Sequence, residues 1–228
     1  MKTVTFAEKA QAFYEHLKPP SNLPPGVETI MPYANAPVKD CMRAFLTTFF
    51  ADTRKRVLVL GVNPGRFGAG ITGISFTDPI ALAEDCGISN HFLKKRELSS
   101  QFIYTFINAW GGAKTFYQDF FLSSVSPIGF LKNGVNYNYY DERELLKAVK
   151  PFIVSTLQQQ IALGARDSCV LLGTGKNQEV FTRFNDELGL FKAIYPVEHP
   201  RFIMQYRRKH LNDYCEKYVS VFRQALGQ

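Results

Sequence analysis

Four short apolar runs, at residues 57–60, 119–125, 168–172 and 191–197, are separated by stretches long enough for helices, and each run stops at a polar loop. Runs of this kind suit strands buried on both faces, and helix-length connections between them imply parallel pairing through right-handed crossovers. The predicted fold class is therefore α/β, three-layer, with a central four-stranded parallel sheet flanked by helices. In such a sheet every strand ends on the same edge, which is where open α/β folds bind ligands. Four loops converge there by topology alone: those carrying Asn63, Ser124 with Ser126, Thr174 with Lys176, and His199. Taken one at a time, each is most simply an ordinary turn.

The helix-length stretches carry their own signals. Residues 5–17 place Phe6, Ala10, Phe13, Tyr14 and Leu17 at helical spacing, and the proline-rich stretch 19–26 then stops the helix and crosses the surface. Residues 40–50 suit a second helix, and Asp78-Pro79 reads as a cap followed by a first-turn proline. Further helices are expected at 98–110, closed by Gly111-Gly112, and at 141–163, where Asp141 and Glu144 resemble a capping box and Pro151 should kink or break the helix. Two more fit 178–188 and 209–226.

With 228 residues and 46% hydrophobic content, the chain can bury one full core, and no shift in composition divides it, so residues 1–228 read as a single domain. The net charge of +7 favours polyanionic partners without separating a nucleic-acid enzyme from any basic protein. Cys41, Cys86, Cys169 and Cys215 are scattered with no Cys-x-x-Cys pair, which argues against a zinc site, an iron–sulfur cluster or a disulfide framework. No stretch approaches the roughly 18 apolar residues a membrane span needs, so a soluble intracellular protein is expected.

The loops carry unequal chemical weight. Gly68-Ala69-Gly70-Ile71-Thr72-Gly73 matches G-x-G-x-x-G but begins several residues past the strand and opens no helix directly, so the dinucleotide geometry fails. Gly173-Thr174-Gly175-Lys176-Asn177 looks like a phosphate loop, yet Val170 stands where the first glycine belongs and Asn177 where a magnesium-binding hydroxyl belongs. His199, at a strand end before Pro200, is better placed: a neutral imidazole there can donate a hydrogen bond to an anion that develops during reaction. The following residues mix Arg201, Gln205, Arg207 and Arg208, which can hold phosphates, with Ile203, Met204 and Tyr206, any of which can wedge between bases. A solvated charged face opening the last helix is the plainer reading of the same segment. Lys94-Lys95-Arg96 is an ordinary basic run, and Phe76 sits where a loop residue can stack on a planar ligand.

Gly61-Val62-Asn63-Pro64-Gly65-Arg66-Phe67-Gly68, with Thr72-Gly73-Ile74-Ser75-Phe76 and the later His199-Pro200, resembles the uracil-DNA glycosylase superfamily, and most closely its third family, the single-strand-selective monofunctional enzymes. The resemblance runs from about Arg56 to the C-terminus and includes the segment 121–130 with Pro127. It implies that Asn63 positions the attacking water, that His199 hydrogen-bonds the base O2 as charge builds there, and that Phe76 stacks on an everted base. Gly61, Val62, Gly65, Phe67 and Ser124 would complete the substrate pocket, Gly65 leaving room at the C5 edge. Arg201, Ile203, Met204, Gln205, Tyr206, Arg207, Arg208 and Lys176 would contact DNA. Two departures mark a divergent subtype. Ser124 stands where the family has an asparagine that reads the base edge, and Arg201-Phe202-Ile203-Met204 replaces the Ser-Pro-Arg-Asn that follows the family's His-Pro.

The resulting expectation is a monofunctional base-excision repair hydrolase that removes uracil, and C5-modified uracil, from single- or double-stranded DNA by direct water attack. It would need no metal or cofactor, act as a monomer, and reside with the nucleoid in a bacterial cytoplasm or in a eukaryotic nucleus. No lysine is placed by a motif as an imine-forming nucleophile. Two alternatives remain at this point: a DNA-binding module of the same fold whose chemistry is lost, in keeping with Ser124, and a nucleotide-binding enzyme that uses the loop from Gly173 to Lys176.

Overall fold

In the computed structural model, which describes residues 3–228, the central sheet has four parallel strands in the order β3-β2-β6-β7. These are β2 (Arg56–Gly61), β3 (Phe120–Ser124), β6 (Ala165–Leu172) and β7 (Ala193–Val197). Every residue of β2 and β3 is buried, as expected for strands covered on both faces. The helices are α1 (Phe6–Glu15), α2 (Ala36–Phe50), α3 (Ala69–Thr72), α4 (Pro79–Glu84), α5 (Leu98–Trp110), α6 (Ala113–Asp119), α7 (Arg143–Ala162), α8 (Lys176–Leu188), α9 (Pro200–Tyr206) and α10 (Leu211–Leu226). Helix α10 packs on β6, β7 and α5, while α7 packs on β6 and α1. The four cysteines are free and buried. Among the described residues no helix is long and apolar enough to cross a membrane.

Local chemistry explains most helix boundaries. Thr5 caps α1 through a reciprocal capping box with Glu8, and the Asp78 carboxylate accepts from the backbone N–H groups of Ile80 and Ala81, each at 2.9 Å. Two expectations for α7 are corrected. Asp141 does not cap it; its carboxylate instead accepts from Asn138 N at 2.8 Å and Asn138 Nδ2 at 3.2 Å, and the N-cap residue is Glu142. Pro151 does not break the helix, because Pro151 and Lys147 both face solvent and the carbonyl left without an i+4 donor can turn to water.

A second sheet was not foreseen. Strands β1 (Val27–Ile30), β4 (Gly129–Lys132) and β5 (Val135–Tyr137) form an antiparallel sheet in the order β1-β4-β5. Its β4–β5 hairpin turns on Asn133-Gly134, with φ of 53° and 71°, between paired Lys132 and Val135. Two consecutive left-handed residues are what a two-residue hairpin loop needs to match the strand twist.

Candidate active site

The carboxyl edge of the parallel sheet opens into a cavity of about 570 Å³. Asn63, Ser124 and His199, from the ends of β2, β3 and β7, all line it, so the predicted convergence holds for three of the four loops. The volume is that of a small-ligand site. Thr174 and Lys176 are exposed and do not line it, and Ser126 is buried with its hydroxyl donating to Ile128 O at 2.8 Å.

The Asn63 amide is held in one orientation. Its Oδ1 accepts from Tyr139 N at 3.1 Å and its Nδ2 donates to Tyr137 O at 3.2 Å and to Pro64 O at 3.4 Å. A flipped amide would set oxygen against oxygen and N–H against N–H. The amino group therefore faces backbone carbonyls, and the remaining hydrogen-bonding capacity is the second lone pair of Oδ1. The loop that carries Asn63 is itself pinned to the second sheet. Arg66 N donates to Asn136 Oδ1 at 3.0 Å, Arg66 Nη1 donates to Gly134 O at 2.5 Å, and a Cβ on Gly129 would stand 2.0 Å from Pro64 O.

His199 is the N-cap residue of α9, and its Nδ1 accepts from Arg201 N at 3.2 Å. In the neutral ring the proton then lies on Nε2. Burial, with a smaller contribution from the Arg201 charge, pushes the imidazole down to about 4, so it is neutral near pH 7.

Phe76 lies 5.9 Å from the His199 ring, centroid to centroid. Its φ of 55° is rare for a bulky residue and marks local strain of the kind found at functional sites. The turn is braced by Thr72, whose buried hydroxyl donates to Thr77 O at 2.7 Å. Gly61 allows the ring to lie against the strand end, since a Cβ there would stand 2.4 Å from Phe76 Cζ. Gly61 thus supports the pocket without lining it, whereas Val62, Gly65, Phe67 and Phe76 do line it.

Helix α9 sorts the residues after His199. Ile203 and Met204 are 0% and 9% exposed, which corrects their assignment to a DNA-facing wedge: α9 turns them inward toward α5. Arg201, Phe202, Gln205 and Tyr206 line the cavity instead, with the exposed rings of Phe202 and Tyr206 5.6 Å apart. Arg207 lies over the Phe202 ring at 5.3 Å, and Arg208 is exposed beyond it. Phe202 carried a sequence signal, an aromatic between cations directly after His-Pro. Arg66, Glu97, Ser99, Asn136, Asn138 and Tyr140 also line the cavity without having been predicted to do so. The Asn133-Gly134 dipeptide between apolar runs was the signal for the hairpin that brings Asn136.

The Uracil DNA glycosylase superfamily model matches residues 48–223. No curated protein sequence matches the chain. Among solved structures, wild-type SMUG2 of Pedobacter heparinus is similar at 41% identity with a TM-score of 0.95, the match covering 99% of this chain and 100% of that one. The span of the family match and the near-complete structural overlap place the chain in the uracil DNA glycosylase superfamily.

Proposed function

We propose that the protein removes uracil from DNA by hydrolysing the N-glycosidic bond with a directly attacking water, without a covalent enzyme intermediate. The observation that carries this reading is that one cavity holds both an amide with a single acceptor lone pair left and a neutral imidazole with its proton on Nε2. Glycosidic cleavage by a dissociative route leaves a sugar cation and a base anion. His199 Nε2–H donates to the base O2 as that charge forms, and Asn63 Oδ1 accepts from the water and aims it at the sugar. An amide is a poor base, so the rate depends chiefly on leaving-group stabilisation. Phe76 stacks on the everted base. Gly65 brings no side chain to the cavity, which keeps C5-modified uracil within the proposed range.

Arg66, Arg201, Gln205, Arg207 and Arg208 supply phosphate and backbone contacts, and Phe202 and Tyr206 take the wedge role that Ile203 and Met204 cannot fill. Phe67 forms the facing lip. The protein acts as a monomer. Lys176 stands apart from the cavity, and Asn63 and His199 do not depend on it.

Oligonucleotides with one uracil, single- and double-stranded, should yield an abasic product that breaks only after alkali. His199→Ala should slow base release by about 100- to 1,000-fold. Absence of release by the wild-type protein, or an unchanged rate in the variant, would overturn the proposal.

A further inference from the structure

Ser124 stands at the end of β3 where a reader of the base edge is expected, but a rotating hydroxyl offers no fixed donor–acceptor pair. Besides Asn63, the cavity holds two carboxamides fixed in orientation, both from the second sheet and the chain leaving it. Asn136 and Asn138, two residues apart, each line it.

Their orientations are set by partners that cannot reverse. Asn136 Oδ1 accepts from the Arg66 backbone N–H at 3.0 Å, so Oδ1 and Nδ2 cannot exchange places. Its amino group lies over Gly65, 3.0 Å from where a Cβ would be. Asn138 Nδ2 donates to the Asp141 carboxylate at 3.2 Å, and the same carboxylate accepts from Asn138 N at 2.8 Å. That turns the Asn138 carbonyl oxygen away from Asp141 and leaves it free as an acceptor, with one amino hydrogen also uncommitted. One side chain offers a donor and the other an acceptor, and the backbone between them, Tyr137 O and Tyr139 N, is what holds Asn63.

We infer that Asn136 and Asn138 together read the edge of the everted base, the Asn136 amino group donating to O4 and the Asn138 carbonyl accepting from N3–H. This rests on the uracil-excision reading above. Uracil presents an acceptor beside a donor and satisfies both groups. Cytosine presents N4–H₂ beside an unprotonated N3, so donor meets donor and acceptor meets acceptor, and groups withdrawn from water go unpaired. The amides thus supply the discrimination that Ser124 cannot, and the residue that fixes each is a neighbour of the catalytic loop or of the hairpin.

The test is a substrate-by-enzyme cycle. Single-turnover release is measured for uracil and for pyrimidin-2-one, which lacks O4 and leaves N3 unprotonated, using the wild type, Asn136→Asp and Asn138→Ala, with thermal unfolding recorded for each. Asn136→Asp keeps an acceptor for Arg66 N and replaces the amino donor with a charged acceptor. The charge opposes both departing anions, while the lost donor to O4 falls on uracil alone, so the uracil-to-pyrimidinone rate ratio should fall by roughly ten-fold or more. Asn138→Ala should reduce the same ratio, because the N3 of pyrimidin-2-one carries no hydrogen for the Asn138 carbonyl to accept. Wild-type uracil release with the same ratio in the wild type and Asn136→Asp would overturn this inference while the proposed function stands. No uracil release by the wild type would overturn both.

Discussion

The two sheets meet at one cavity and contribute to it differently. The parallel sheet delivers side chains at strand ends: Asn63, Ser124 and His199 stand at or just past the last residues of β2, β3 and β7. The antiparallel sheet works from its β5 edge, where backbone atoms of Tyr137 and Tyr139 hold the Asn63 amide and Asn136 holds Arg66 N. Topology is sufficient to bring reactive groups to one rim. Orienting them takes a second layer of polar contacts, and here that layer belongs to a separate element of the fold.

The largest expected effect comes from separating the two sheets. Gly129 opens β4, and a Cβ there would collide with the Pro64 carbonyl at 2.0 Å, a backbone atom with no rotamer to escape into. Gly129→Ala should therefore lower stability by about 1–3 kcal/mol, as overpacking does, and reduce base release even where the variant remains folded. Denaturant unfolding and single-turnover release on the same preparations check this. Wild-type stability in the variant would mean that the sheets are not rigidly docked, and the division of labour would fail.

The same contrast explains what could be read from sequence. Buried apolar runs such as residues 57–60 and 168–172 are one-dimensional signals, so β2, β6 and their polar exits were accessible, as was the Asp78 cap. Strands of the second sheet are short and partly exposed: Val135–Tyr137 carries one apolar aliphatic residue, one amide and one tyrosine, too little for a periodic pattern. Their stability comes from pairing with residues about 100 positions away, as in Ile30 with Gly129, which no local window contains. Helix α9 misled for a related reason. Ile203 and Met204 look like a wedge in a basic segment, but one helical turn directs them into the core and leaves Phe202 and Tyr206 outside.

A smaller effect isolates the parallel-sheet side, because amides do not titrate and His199 does. With its imidazole pushed down to about 4, base release should stay level, as far as His199 is concerned, from pH 8 to 5 and fall as pH approaches 4. Protonation places a hydrogen on Nδ1 and removes the lone pair that accepts from Arg201 N, so the start of α9 is disturbed as well. Stability follows the same group. The unfolded chain takes up this proton at the ordinary value of 6.5 and the folded protein only near 4, so the contribution is present above 6.5 and is lost as pH falls through that window. A pH–rate profile with half-loss near 6.5 would show that His199 is not held neutral by burial.

The smallest expected effect lies outside both sheets, at the mouth. In the run Lys94-Lys95-Arg96, the Lys94 ammonium is turned to Pro79 O, Asn90 O and Asn90 Oδ1, and Arg96 pairs with Glu84 at 3.0 Å. Lys95 Nζ instead lies 3.9 Å from the Phe67 ring centroid, with no ion pair or hydrogen bond to the described residues. A cation left free beside the cavity can neutralise one phosphate and release its counterion, whereas one already committed to protein oxygens contributes less. Lys95→Ala should therefore weaken binding of single-stranded DNA by a few fold and reduce the slope of log affinity against log salt by about 0.7. Lys94→Ala should leave that slope nearly unchanged, which controls for the loss of one charge from the whole surface. Equal slopes for the wild type and Lys95→Ala would take the Phe67 lip off the DNA path and leave the α9 side, with Arg201 and Arg207, as the electrostatic contact.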